Sequence, residues 1–120
     1  ALPHLPSERG RIINIGAAGA QKAAAGMGAY AASKAGVMRL TEALAEELKD
    51  RGITVNALLP SIIDTPANRA DMPKADFGKW VKPELVAQFQ FVEWTDDQHL
   101  RHAKFIALRD DKPPQEVRRV

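Results

Sequence analysis

No cysteine occurs in the 120 residues, so no disulfide can staple the fold and no thiolate can hold a metal. Aromatics make up only 6% and include a single tyrosine, Tyr30, so phenol chemistry has one candidate. No apolar run reaches the roughly eighteen residues of a membrane-spanning helix, and the N-terminus carries no signal-peptide pattern. The expectation is a soluble, cytoplasmic chain with no membrane partner.

A surplus of one charge is missing as well. Up to residue 78 there are nine basic and eight acidic residues, and beyond it eight and seven, giving the net +2. That balance does not describe a general polyanion binder. His99 and His102 have no acidic or Cys cluster near them, so no metal is expected. Repeats and low-complexity tracts are absent. At this length one domain with a modest core is expected.

What the chain does have is Tyr30-Ala-Ala-Ser-Lys34. Positions four apart lie one above the other on a helix. An ammonium beside a phenol favours the phenolate, which makes the hydroxyl a usable proton donor and acceptor. Such a pair can move a proton to or from a substrate oxygen.

The flanks give the pair a setting. Gly10-Arg-Ile-Ile-Asn-Ile15 reads as a strand, Tyr30 opens a helix ending near Asp50-Arg51-Gly52, and Ile53-Thr-Val-Asn-Ala-Leu-Leu59 reads as a second strand closed by Pro60. Along the helix Val37, Leu40, Leu44 and Leu48 recur at three- and four-residue steps, with Ala43 and Ala45 beside them. Gly26-Met-Gly28-Ala-Tyr-Ala31 spells a dinucleotide-type glycine pattern, but it precedes the Tyr30 helix and reads as a flexible approach to it.

Over roughly residues 1–76 the chain resembles the short-chain dehydrogenase/reductase family, through G-R-I-I-N-I, G-A-Y-A-A-S-K-A-G-V, R-G-I-T-V-N-A-L-L-P and the turn Ile63-Asp64-Thr65. The resemblance implies an NAD(P)-dependent oxidoreductase acting on a small carbonyl or alcohol. Tyr30 would be the acid/base, Lys34 would also hold the cofactor ribose, and Thr65 would contact the nicotinamide carboxamide. Thr65 equally suits a cap before Pro66. Asn56 reads as a strand residue tying up backbone groups. The family also uses the Tyr helix in subunit contacts, which implies a possible homo-oligomer.

Two departures stand out. The family's substrate-binding Ser or Thr, thirteen residues before the Tyr, falls on Ala17. Losing one donor to a developing oxyanion costs about 100- to 1000-fold in rate. Neither Ser33 nor Ser61 is expected to replace it. The Gly-rich turn that seats a dinucleotide pyrophosphate is also missing, since only Ala1 to Arg9 precede the first strand. The expected fold is α/β, a partial Rossmann-type, doubly wound second half. Such a fragment is expected to be inactive alone.

From about Lys79 the pattern changes. Val86 to Trp94 alternates Ala87, Phe89 and Phe91 with Gln88 and Gln90, which predicts a half-buried strand. Residues 79–120 resemble the C-terminal end of bacterial end-joining ATP-dependent DNA ligases, through W-V-K-P-E-L-V-A, F-x-E-W-T, H-L-R-H-A-K-F and L-R-D-D-K-P. The resemblance implies a β-rich tail like part of an oligonucleotide-binding barrel. It also implies ATP phosphate contacts from Arg109 and Lys112, and nucleic-acid binding as an alternative function. The nucleophilic K-x-D-G of ligases is absent; Lys74-Ala-Asp76 continues with Phe77. Trp80 and Trp94 suit core packing better than base stacking. The expected organisation is two segments, 1–78 and 79–120, and a fusion product without catalysis is a third reading.

Overall fold

The computed structural model describes residues 1–88, 104–108 and 115–118. A first strand, β1, spans Arg11–Ile15. A 21-residue helix, α1, spans Gly28–Leu48, and β2 follows at Thr54–Pro60. β1 and β2 pair in parallel from Arg11 opposite Thr54 to Ile15 opposite Leu58. Parallel neighbours need a crossover, and α1 supplies it.

The helix forms because its span is rich in Ala, Leu and Glu and holds no proline. It stops in a 3-10 turn over Lys49–Arg51 followed by Gly52 at φ 65°, the left-handed region that glycine enters at no steric cost. A Cβ there would also stand 2.5 Å from the Glu8 carboxylate. The Arg51 guanidinium then ties down the start of the chain by donating to the carbonyls of Leu2 and Leu5, at 3.1 and 2.6 Å.

All seven residues of β2 are buried, and the strand divides its side chains between two cores as a period of two requires. Ala57 and Leu59 meet Met38 of α1. Val55 meets Ala45 and Leu48 of the same helix, together with Ile53. Leu58 faces the other way, onto Val81 and Leu108.

The buried face of α1 is rotated from the one expected. Ala31, Met38, Thr41, Ala45 and Leu48 are buried, whereas Leu40 is 54% exposed. A threonine has displaced a leucine because it is bonded inside the core. Asn14 Nδ2 donates to Thr41 Oγ1 at 2.9 Å, and Thr41 Oγ1 donates to the Val37 carbonyl at 2.7 Å. This chain of hydrogen bonds fixes α1 to β1.

Beyond β2 a six-residue helix, α2, spans Pro66–Asp71. Residues 83–88 form a further helix, α3. The strand expected from Val86 onward therefore does not hold for residues 86–88; its remainder lies outside the described residues. Pro83 suits a first helical position, and Leu85 and Val86 pack on the Leu58, Val81 and Leu108 core. Tertiary burial overrides the local alternation. Trp80 is buried at 5% exposure, the core role expected of it, while Trp94, His99 and His102 lie outside the described residues.

The expected part-barrel after residue 79 is not what the described residues form. Strand β3, Lys104–Leu108, pairs in parallel with β2, from Ala57 opposite Phe105 to Pro60 opposite Leu108. Strand β4, Gln115–Arg118, pairs antiparallel with β3. One sheet of order β1-β2-β3-β4 results. Among the described residues no helix is long and apolar enough to cross a membrane.

Candidate active site

In open parallel sheets the crevice for ligands lies beyond the carboxyl ends of the strands. Here a cleft of about 590 Å³ opens at that edge, lined by Tyr30 and Lys34 of α1, by Ala17 after β1, and by Ser61 and Thr65 after β2. Tyr30 and Lys34, predicted together from their spacing, thus share one cavity. Tyr30 lies in the first turn of α1, 47% exposed. Lys34, one turn further on, donates from Nζ to the Ile15 carbonyl at 3.4 Å, which leans the ammonium toward the end of β1.

The floor depends on a close approach. Gly16 follows β1, its N–H donates to the Leu58 carbonyl at 2.7 Å, and a Cβ on it would stand 2.6 Å from Leu59 Cδ2. A side chain at this position would require the buried Leu59 to shift.

Thr65 is the N-cap of α2, its Oγ1 accepting from the Asn68 N–H at 3.2 Å. The capping role foreseen for it is present, and it lines the cleft as well. Asn68 Nδ2 donates to the Ile63 carbonyl at 2.8 Å. Asp64 accepts two hydrogen bonds from Arg69, at 2.6 and 2.8 Å, with Lys82 Nζ 3.9 Å away. The doubly bonded guanidinium holds the Asp64 carboxyl below the usual carboxylate range against the opposing pull of desolvation, and Asp64 in turn raises Arg69. The Arg69 guanidinium also sits 4.6 Å from the Phe77 ring centre, and Phe77 packs on Trp80 at 4.8 Å.

The rest of the lining is apolar. Ile15, Met27, Ile62 and Met72 are exposed large side chains that face this cleft. Sequence reasoning missed them, and it set Ser61 aside; the structure puts Ser61 in the cleft. A signal was there to be used, because Ser61 directly follows a strand that runs in parallel with β1. Ser33 behaves as expected, its Oγ bonded to the Tyr30 carbonyl at 2.7 Å. Asn56 is 2% exposed in mid-strand. Arg109 and Lys112 lie outside the described residues.

A parallel α/β sheet with a Tyr/Lys pair at its carboxyl edge defines a Rossmann-type class. Residues 1–76 match the short chain dehydrogenase family model, and the chain belongs to that family. It is 39% identical over 97 residues to acetoacetyl-CoA reductase of Rhizobium meliloti, covering 73% of this chain and 40% of that protein. To the 3-oxoacyl-[acyl-carrier-protein] reductase FabG of Pseudomonas aeruginosa it is 50% identical over 66 residues, covering 55% of this chain and 26% of the other.

Among solved structures, a blue fluorescent protein from a metagenomic library, in complex with NADPH, is similar with a TM-score of 0.74 at 32% identity. That likeness covers 90% of this chain and 47% of the other. A short chain dehydrogenase from Burkholderia cenocepacia in complex with NADP gives 0.71 at 30%, covering 92% and 48%. The chain spans less than half the length of these relatives. Likeness over 90% of the chain extends well past residue 79, in accord with β3 lying in the same sheet.

Proposed function

We propose that these residues form the proton-transfer half of an NAD(P)-dependent oxidoreductase that interconverts a small carbonyl compound and its alcohol. The observation that carries the reading is Tyr30 and Lys34 lining one cleft at the carboxyl edge of a parallel sheet. In reduction Tyr30 gives its hydroxyl proton to the substrate oxygen, and in oxidation it takes that proton back. Lys34 brings its ammonium to the same cleft from one turn further along α1.

A nicotinamide, when bound, supplies or accepts the hydride. Its nicotinamide end would lie in this cleft, where Lys34 would offer its ammonium to the ribose hydroxyls and Thr65 borders the same space. Among the described residues β1 alone leads into a long helix, and the glycine-containing stretch between them, residues 16–27, is a long loop that borders the Tyr30 cleft in place of the tight turn that would seat a pyrophosphate. The isolated 120 residues are therefore expected to bind neither NADH nor NADPH measurably and to turn nothing over. No observation on the described residues favours ATP or nucleic-acid binding by residues 79–120.

The test is NADPH fluorescence on the isolated chain, followed by ketone-dependent NADPH oxidation with a relative's cofactor-binding half added in trans. Silence in the first and turnover in the second, falling about 100-fold or more in Tyr30→Phe, is the expected result. Turnover indifferent to Tyr30→Phe overturns the acid/base assignment. Saturable quenching by the chain alone, lost in Lys34→Ala, overturns its inactivity.

A further inference from the structure

Ala17 leaves the cleft without the hydroxyl that would steady a substrate oxygen opposite Tyr30, yet another hydroxyl reaches the same space. We propose that Ser61 donates a hydrogen bond to the substrate carbonyl oxygen in place of a residue-17 hydroxyl; the proposal rests on the oxidoreductase reading of the Tyr30 site.

Strand register places the two positions side by side. Ile15 stands opposite Leu58, the Gly16 N–H continues the pairing to the Leu58 carbonyl, and Ala17 is still extended at φ −154° and ψ 150°. Carried two residues on, that register sets Ala17 level with Pro60, with Ser61 one residue beyond on the neighbouring strand. Adjacent strands lie about 4.8 Å apart, and the chain leaves β2 in a bend at residues 61–62, which turns Ser61 out of the strand's alternation and onto the cleft that Ala17 borders. Both residues line the cleft with Tyr30.

The backbone of Ser61 is pinned, because its N–H donates to the Leu108 carbonyl at 3.0 Å. Its hydroxyl has no partner among the described residues. The other candidates are occupied. Thr65 Oγ1 caps α2, and Ser33 Oγ is bonded to the Tyr30 carbonyl. A half-buried, unspent donor on a pinned backbone, lining the same cleft as a phenol, is what a carbonyl oxygen requires, since its charge grows as the carbon is reduced. Ser61 transfers no proton; that proton comes from Tyr30.

The experiment uses the 120-residue chain and acetophenone labelled with carbon-13 at the carbonyl, whose infrared stretch falls in frequency with each hydrogen bond it accepts. In Ser61→Ala the bound band moves up and affinity weakens by about three- to tenfold, the usual worth of one hydrogen bond. Ser61→Thr keeps the native band, and Ala17→Ser placed in the Ser61→Ala background restores it. Tyr30→Phe raises the band separately. If Tyr30→Phe moves the band and Ser61→Ala does not, the Ser61 assignment is overturned and the Tyr30 site stands. If neither moves it, or the native chain binds the ketone without saturation, both fall.

Discussion

The two walls of the cleft are built on opposite physical terms. One is α1, which carries Tyr30 and Lys34. It has neither a side-chain cap nor an acidic residue in its first turn, yet five of its 21 residues are buried. The other is α2, whose cap Thr65 borders the cleft. None of its six residues is buried, and a helix so short is not stable by itself. A cap, the Asp64–Arg69 pair and the backbone bonds from Val81 to Ile62 and from Asp64 to Val81, both 2.8 Å, hold it instead. The proton-handling wall is thus as stable as the core, whereas the facing wall rests on polar bonds that can open locally. A cleft that keeps its acid/base fixed while its far side adjusts follows from that contrast.

The largest effect should come from breaking the buried wall. Met38 is 6% exposed and meets Ala57, Leu59 and Phe105, so Met38→Ala is expected to cost about 2–5 kcal/mol. In denaturant unfolding the midpoint should fall well below that of the native chain. A change under about 1 kcal/mol would show that α1 is not packed as described. On the other wall Thr65→Ala removes the α2 cap, for which about 0.5–2 kcal/mol is typical. Because α2 opens without the sheet, the change should appear mainly as faster hydrogen exchange at the Asn68 amide. A matching loss of global stability would merge the two walls into one cooperative unit.

The same contrast explains what could be read in the sequence. β1, α1 and β2 were legible because propensity, period and punctuation agree: a strand run at 11–15, helix formers without proline through 48, and Gly52 to stop them. Tyr30 and Lys34 were legible because a helix converts a four-residue spacing into a shared face. The buried side of α1 was not, since Thr41 reads as a surface residue until Asn14 bonds it from β1. Residues 86–88 misled because Phe and Gln alternate just beyond them, whereas burial of Leu85 and Val86 against β2 and β3 set the helix. Ser61 was set aside because nothing in its local sequence ties it to Tyr30; it lines the cleft because β2 runs parallel to β1 and ends at the same edge of the sheet. The tail's likeness to a barrel rested on short motifs, and pairing of Lys104–Leu108 with β2 is a long-range fact that local motifs do not encode.

The smallest effect concerns the polar wall alone and is read by pH. Asp64 has a side chain 9% exposed, while Arg69 is half exposed. The Arg69 hydrogen bonds are the main cause lowering the Asp64 carboxyl, the charges of Arg69 and Lys82 add to them, and desolvation works against them. A carboxyl lowered in the folded state binds its proton more readily when unfolded. Its stabilisation is therefore full above the ordinary carboxylate value of 3.8 and drains away as pH falls through the lower folded value. Between neutral pH and about pH 5 the α2 amides should keep constant protection, and below the ordinary value protection should decline. In Asp64→Asn that acid-dependent step should vanish, with α2 less protected at neutral pH than in the native chain. An unchanged acid step in Asp64→Asn would assign the pH response to another carboxyl and leave the cap, rather than the ion pair, as the main support of this wall.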